Sequence, residues 1–308
     1  MAAAGAAGVP DRKEAGSEER LTGIEQAMVS RDRSKVPLLR EWASRDGDEK
    51  VRERSVGALT LIGDAGSSGI FLERLSRDPS PRVRRAAAEA IGILKLSGPH
   101  AKLTELLRKD PDPYVRAECA RALGRIMATS GGPALMIALV QDSSPEVRAL
   151  SAEGLSALRV PESPELLRVV AQQDSSTLVR IFAVQALGVL DPAGSAPVFR
   201  IVWEGTSDPD LRVAAYQGLL QSGTGAQWEA AGLSDFDERV RFLAFRSWLS
   251  RSLAARPGTV LPRNAEALSR LETFLKDPVR GIRELAKEAL EKQGVAVRTE
   301  GFGYAIER

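Results

Sequence analysis

Asp110-Pro111-Asp112-Pro113-Tyr114-Val115-Arg116-Ala117-Glu118-Cys119-Ala120-Arg121-Ala122-Leu123-Gly124 returns in character as Asp174-Ser175-Ser176-Thr177-Leu178-Val179-Arg180-Ile181-Phe182-Ala183-Val184-Gln185-Ala186-Leu187-Gly188. The pairs Val51-Arg52, Val83-Arg84, Val115-Arg116, Val147-Arg148, Val179-Arg180 and Leu211-Arg212 recur at one constant step. Val240-Arg241 then comes slightly early and Ile282-Arg283 well late, which makes eight copies. A fixed period of this length marks an array of supersecondary units, none of which can bury its apolar face alone.

With V as the apolar member of each pair, the columns read as one helix. Five positions before V stand Asp46, Asp78, Asp110, Asp142, Asp174, Asp235 and Asp277, with Thr206 the exception. Three before V stand Asp48, Ser80, Asp112, Ser144, Ser176, Asp208 and Asp237, whose side-chain oxygens suit an N-cap, and Val279 replaces them in the last copy. Pro81, Pro113, Pro145 and Pro209 come next, where a missing N–H costs nothing. V+4 is small (Ser55, Ala87, Cys119, Ser151, Ala183, Ala215, Ala244, Ala286) and V+8 large (Leu59, Ile91, Leu123, Leu155, Leu187, Leu219, Trp248, Leu290). V, V+4 and V+8 share a face, so this stripe is buried.

A second amphipathic segment precedes each turn, with Phe71, Leu103, Leu135, Leu167 and Phe199 as its column. Glycines such as Gly92, Gly124 and Gly188 are expected to loosen or end the second helix. No strand pattern of any length is visible. Each unit is helix, turn, helix, and the expected fold is all-α, a right-handed α-solenoid.

The unit Asp-x-x-x-x-Val-Arg-x-x-Ala-x-x-Ala-Leu-Gly resembles the HEAT repeat, in the short bacterial form found in phycobilin lyases. The resemblance covers residues 34–293 as about eight repeats, with an insertion at 251–264 around Pro257, Gly258 and Pro262. Residues 17–33 are expected to form an N-terminal capping helix and residues 1–16 to be disordered. Two fates stay open for the tail 294–308: folding back over the last repeat, or remaining a free peptide. In the family the Asp and Arg columns form a ladder of charge-assisted hydrogen bonds. The resemblance carries that structural role to Asp78, Arg84, Asp110, Arg116, Asp142, Arg148, Asp174 and Arg180. Thr206 would then leave Arg212 poorly paired.

Composition narrows the function. The 308 residues hold 43 Lys+Arg, of which 34 are Arg, against 41 Asp+Glu, for a net charge of +2. Such a balance makes no large field for phosphate, so nucleic acid is not the expected partner. One Cys forms no internal disulfide, no apolar run suits a membrane span, and no secretory leader is apparent at Met1-Ala2-Ala3-Ala4-Gly5. A cytoplasmic protein with no membrane association is expected.

No catalytic or metal-binding residues are assigned, and no cofactor. Cys119 falls in the buried small column, where a thiol is inert. His100 is the only histidine. Deoxyhypusine hydroxylase, a HEAT-repeat enzyme, holds two irons through four His-Glu pairs, whereas here the sequence reads His100-Ala101. No phosphate-cradling Gly-x-x-x-x-Gly-Lys run exists.

The remaining signal is the face opposite the buried stripe. V+2 and V+6 of the second helix are expected to line the concave surface, with V+2 turning apolar through Ile181 and Val213 to Phe242. Two readings of these side chains stand side by side: anchors for a protein partner, or packing against neighbouring second helices. The expected function is a non-enzymatic scaffold binding a partner protein through Arg121, Ile181, Gln185, Val213, Gln217, Phe242 and Arg246. A bilin lyase or lyase subunit is the alternative that the resemblance implies. A DNA glycosylase of the HEAT-like type ranks lower, because the basic columns are interrupted.

Overall fold

The computed structural model describes residues 16–254, 265–292 and 294–306. Residues 1–15 of the segment expected to be disordered and most of the expected insertion thus lie outside the described residues. Helices α1 (Ser17–Ser30), α2 (Val36–Arg45), α3 (Glu49–Ile62), α4 (Ser68–Arg77), α5 (Pro81–Ile93), α6 (His100–Lys109), α7 (Pro113–Arg125), α8 (Gly132–Gln141), α9 (Pro145–Leu158), α10 (Ser163–Gln173) and α11 (Thr177–Leu190) come first. They are followed by α12 (Ala196–Gly205), α13 (Pro209–Gln221), α14 (Glu229–Leu233), α15 (Glu238–Ala254), α16 (Ala265–Phe274) and α17 (Arg280–Glu291). Strands β1 (Val297–Glu300) and β2 (Gly303–Ile306) close the described chain.

The second helices start where the cap column stands. Asp112 accepts the Tyr114 and Val115 N–H groups, Asp208 those of Asp210 and Leu211, and Asp48 that of Lys50. Ser80 caps nothing, and its hydroxyl has no partner. Along the helices the V, V+4 and V+8 side chains are buried in every repeat, from Val51, Ser55 and Leu59 to Ile282, Ala286 and Leu290. Phe71, Leu103, Leu135, Leu167 and Phe199 of the first helices are fully buried too.

The chain divides into two compact units, Met1–Ala186 and Leu187–Arg308. In the N-terminal unit, α2, α4, α6 and α8 pair with α3, α5, α7 and α9, and the second helices pack in series from α1 through α3, α5 and α7 to α9. In the C-terminal unit, α12 packs on α13, α14 on α15 and α16 on α17, with α15 contacting both α13 and α17. Each unit is a solenoid stack. An aromatic core marks the C-terminal unit: the Phe245 ring lies 4.6 Å from Phe274 and 5.7 Å from Trp248.

Gly92 and Gly124 are the penultimate residues of α5 and α7, so they stand at the helix ends as expected, and they also sit at close crossings. A Cβ at Gly92 would lie 3.1 Å from the Ala122 Cα, and one at Gly124 3.1 Å from the Gly154 Cα. Small residues let the backbones of α5, α7 and α9 approach. The tail, which shows no strand pattern in sequence, forms an antiparallel hairpin pairing Val297 with Ile306 and Glu300 with Gly303. Its strands are too short for a periodic signal, and the turn depends on Gly301 at φ 58°. The hairpin folds back: the Tyr304 N–H donates to the Leu275 carbonyl at 3.1 Å, and the Tyr304 hydroxyl to Glu284 Oε1 at 2.7 Å.

Candidate interaction surface and the arginine ladder

Arg52, Arg84, Arg116 and Arg148 each lay a guanidinium fork across the carboxylate of the aspartate that opens the next turn, namely Asp78, Asp110, Asp142 and Asp174. Nε donates to Oδ2 at 2.8 Å in all four, and Nη2 to Oδ1 at 2.8 or 2.9 Å. Nη1 meanwhile donates to a backbone carbonyl of its own turn, as from Arg84 to Asp78 at 3.0 Å. Each aspartate does a second job: Oδ1 of Asp78, Asp110, Asp142 and Asp174 accepts the N–H two positions on at 2.8–3.0 Å, which closes the turn. Burial alone would push the carboxyls of Asp78, Asp142 and Asp174 up. The fork and that N–H outweigh it and hold all three below the ordinary value.

Each of these rungs thus joins the arginine of one repeat to the aspartate of the next, which corrects the expectation about Thr206, although among the described residues Arg241 holds only the carbonyls of its own turn and does not pair with Asp277. Arg212 is well paired. Its Nε donates to Asp235 Oδ1 at 2.8 Å and its Nη2 lies 2.7 Å from Oδ2, where the Trp203 indole also donates at 2.8 Å. That rung is shorter along the chain than the others because the following repeat is shortened. The arginine in register to pair with position 206 is Arg180, whose Nε donates to the Ala171 carbonyl at 3.0 Å. Thr206 Oγ1 still accepts the Asp208 N–H at 3.1 Å, so threonine keeps the turn-closing job of the aspartate and drops its charge.

The ladder also begins one step earlier than the Val-Arg count. Arg20 of α1 stands one full period before Arg52, lies 2.9 Å through Nε from Asp46 Oδ2, and reaches Oδ1 with Nη2 at 3.4 Å. Helix α1 therefore takes the place of a second helix in the stack, packed on α3. The signal was the arginine step alone, because Glu19 occupies the V position before it.

The residues expected to meet a partner divide by exposure. Gln185, Gln217 and Arg246 at V+6 are exposed, whereas Ile181, Val213 and Phe242 at V+2 are half-buried and Ala117 and Ala149 in the same column are buried. A second helix has neighbours on both sides in the stack, which leaves a narrower solvent strip than an isolated amphipathic helix would have. Phe242 touches the next second helix, where a Cβ at Gly281 would lie 3.0 Å from its ring, and the Arg246 guanidinium rests 5.9 Å from the ring centroid. Arg121 donates to Glu118 Oε2 at 2.9 Å, and burial raises the Glu118 carboxyl despite that partner.

The exposed aliphatic positions on this strip lie instead at V+10, where Leu61, Ile93 and Val189 stand 44%, 48% and 48% exposed. Leu61 and Ile93 join Met28, Ala86 and Glu89 in an open groove of about 360 Å³ over α1, α3 and α5. Sequence reasoning passes over this column because its other members are polar or small, Arg125, Ala157 and Gln221 among them. Elsewhere little chemistry gathers. Cys119 is fully buried, which pushes its thiol far up, and the exposed His100 ring bonds only the Ser97 carbonyl at 3.0 Å. Among the described residues, no three His, Cys, Asp or Glu side chains stand close enough to hold a metal ion, and no helix is long and apolar enough to cross a membrane.

Comparison with the curated proteins finds no match. Among solved structures, 72 chains match. The Escherichia coli YibA protein is 17% identical with a TM-score of 0.59, over 92% of this chain and 100% of that one. Kap121p bound to Nup53p is 16% identical with a TM-score of 0.54, over 94% of this chain and 35% of that one. The CpcE–CpcF complex of phycocyanin lyase from Nostoc sp. PCC7120 is 18% identical over 81% of this chain and 99% of that one, with a TM-score of 0.47. At such identities the likeness concerns the fold. The profile for HEAT repeats matches residues 36–124, 100–188 and 132–220, an unbroken run over the stacked helix pairs. The chain belongs to the HEAT-repeat family.

Proposed function

We propose that this chain is a non-enzymatic interaction scaffold that takes a protein partner on the exposed strip of its second helices. The observation that carries this reading is the groove over α1, α3 and α5, where Leu61 and Ile93 stand exposed beside Met28 and are rimmed by Thr60 and Glu89. Apolar side chains framed by polar ones on a rigid surface suit a protein partner. Arg121, Ile181 and Gln185 extend the strip along the N-terminal unit. In the C-terminal unit Val213, Gln217, Phe242 and Arg246 occupy the matching positions. The polar members set register, and the half-buried aliphatic edges add contact area.

The test uses the full chain as bait in its native host, comparing wild type with Leu61→Asp/Ile93→Asp and with Gln185→Glu/Gln217→Glu. A partner retained by wild type and lost from either variant, with helical content by circular dichroism unchanged, is the expected result. Identical captures from all three baits overturn the proposed face. The bilin-lyase alternative has no residue constellation behind it, and a TM-score of 0.47 to the CpcE–CpcF complex does not supply one. A visible absorption band carried by the purified chain after incubation with a free bilin would revive it.

A further inference from the structure

Two arginines of the C-terminal unit keep the ladder's tether without its aspartate. Arg241 Nη1 donates to the Asp235 and Phe236 carbonyls at 2.9 and 3.1 Å. Arg283 of α17 is the other, and its Nη1 donates to the Asp277 and Pro278 carbonyls at 2.7 and 2.9 Å. That is the tether of the interior rungs, where Arg84 Nη1 reaches Asp78 and Pro79 at 3.0 and 3.2 Å. The tether holds the Arg283 guanidinium as in a rung, yet among the described residues no carboxylate pairs with its Nε or Nη2. The arginine lines an open groove of about 510 Å³ together with Lys276, Asp277, Glu300 and the hairpin tip, where Phe302 is fully exposed. Gly303 lets the hairpin seat closely beside the groove: a Cβ there would lie 2.7 Å from the Leu275 carbonyl oxygen and 3.7 Å from the Arg283 Cδ.

We propose that the groove lined by Arg283 is a docking site for an aspartate-bearing turn of a partner protein. Arg283 takes the carboxylate through Nε and Nη2 as Arg84 takes Asp110, Lys276 adds charge at the rim, and Phe302 packs on the partner's turn. The interior rungs supply the template, because four forks of the same sequence context close on aspartate at 2.8–2.9 Å. A fork held in advance in a fixed posture loses little freedom on binding a carboxylate bidentately. A second copy of this chain is not the occupant, because the aspartate that opens its array, Asp46, is already engaged by Arg20. This docking site lies apart from the second-helix strip and stands or falls independently of it.

The experiment titrates the full chain with an acetylated and amidated peptide of residues 109–114, Lys-Asp-Pro-Asp-Pro-Tyr, and follows arginine Nε–H signals by NMR. The Arg283 signal is assigned by its loss in Arg283→Lys. It is expected to shift and saturate, while the peptide with both aspartates changed to asparagine binds about tenfold or more weakly, the share of one bidentate pair. Arg283→Lys, which keeps the charge and loses the fork, should weaken binding to a similar degree, whereas Arg280→Gln on the same helix leaves it within about twofold. Glu300→Gln, which removes the one of the groove's two carboxylates that does not close a turn, should tighten it. No shift at millimolar peptide, an equal response to the asparagine peptide, or unchanged affinity in Arg283→Lys would each overturn the proposal. Self-association of the chain that disappears in Arg283→Lys would overturn it as well, in favour of a second copy.

Discussion

At the scale of the residue, one carboxylate serves two neighbours. Asp142 closes its own turn through the Ser144 N–H and receives the Arg116 fork from the preceding repeat. The two jobs separate by substitution. Asp142→Thr, which imitates position 206, keeps a turn-closing oxygen but leaves Arg116 without its anion. It should cost about 3 kcal/mol in urea unfolding, the range for stripping one partner from a largely buried pair. Asp142→Ala loses the turn as well and should cost about 1 kcal/mol more. Acid should act on the same carboxyls. The folded values of Asp78, Asp142 and Asp174 are depressed, so their contribution is fully present at pH 7 and is lost as pH falls below about 4. Thermal midpoints recorded from pH 7 to pH 2.5 should hold steady and then drop, with a shallower drop in Asp142→Asn. A midpoint that rises on acidification would contradict the depressed values.

At the scale of the element, glycine has opposite meanings in α3 and α7. A Cβ at Gly57 meets nothing within 4 Å, whereas one at Gly124 meets the Gly154 backbone at 3.1 Å. Gly57→Ala should therefore stabilise by about 0.5–1 kcal/mol through helix propensity. Gly124→Ala gains the same propensity but must push α7 from α9, and overpacking of about 1–3 kcal/mol should win. Chemical denaturation of the two variants side by side tests the sign of each. The hairpin offers a third case. Gly303→Ala places a methyl against the Leu275 carbonyl and should undock β2 from α17, seen as faster amide exchange at Tyr304 with the helices unchanged.

At the scale of the whole molecule, the contact boundary between Ala186 and Leu187 falls in the repeat before Thr206, where Arg180 and Thr206 are each satisfied within their own unit. Stacked repeats couple chiefly to nearest neighbours, so such a chain need not unfold in one step. The tryptophans make this observable, because Trp203, Trp228 and Trp248 lie in the C-terminal unit and only Trp42 in the other. Urea transitions followed by tryptophan fluorescence and by far-ultraviolet circular dichroism should not coincide. Superimposable curves would show a single cooperative unit instead.

The helix starts, the buried V, V+4 and V+8 stripe and the family were all legible in the sequence, because each rests on a local period or on residues a few positions apart. Tertiary structure decided what depends on neighbours across the stack. It set the partner of Arg52, Arg84, Arg116, Arg148 and Arg212 one repeat onward, so Thr206 leaves Arg212 paired. It put α1 in the place of a second helix through Arg20, placed Phe242 against α17 rather than free in solvent, exposed Leu61 and Ile93, and left Arg241 and Arg283 without an aspartate. A period tells which side chains share a face, but the distance between successive helices determines which faces still meet water.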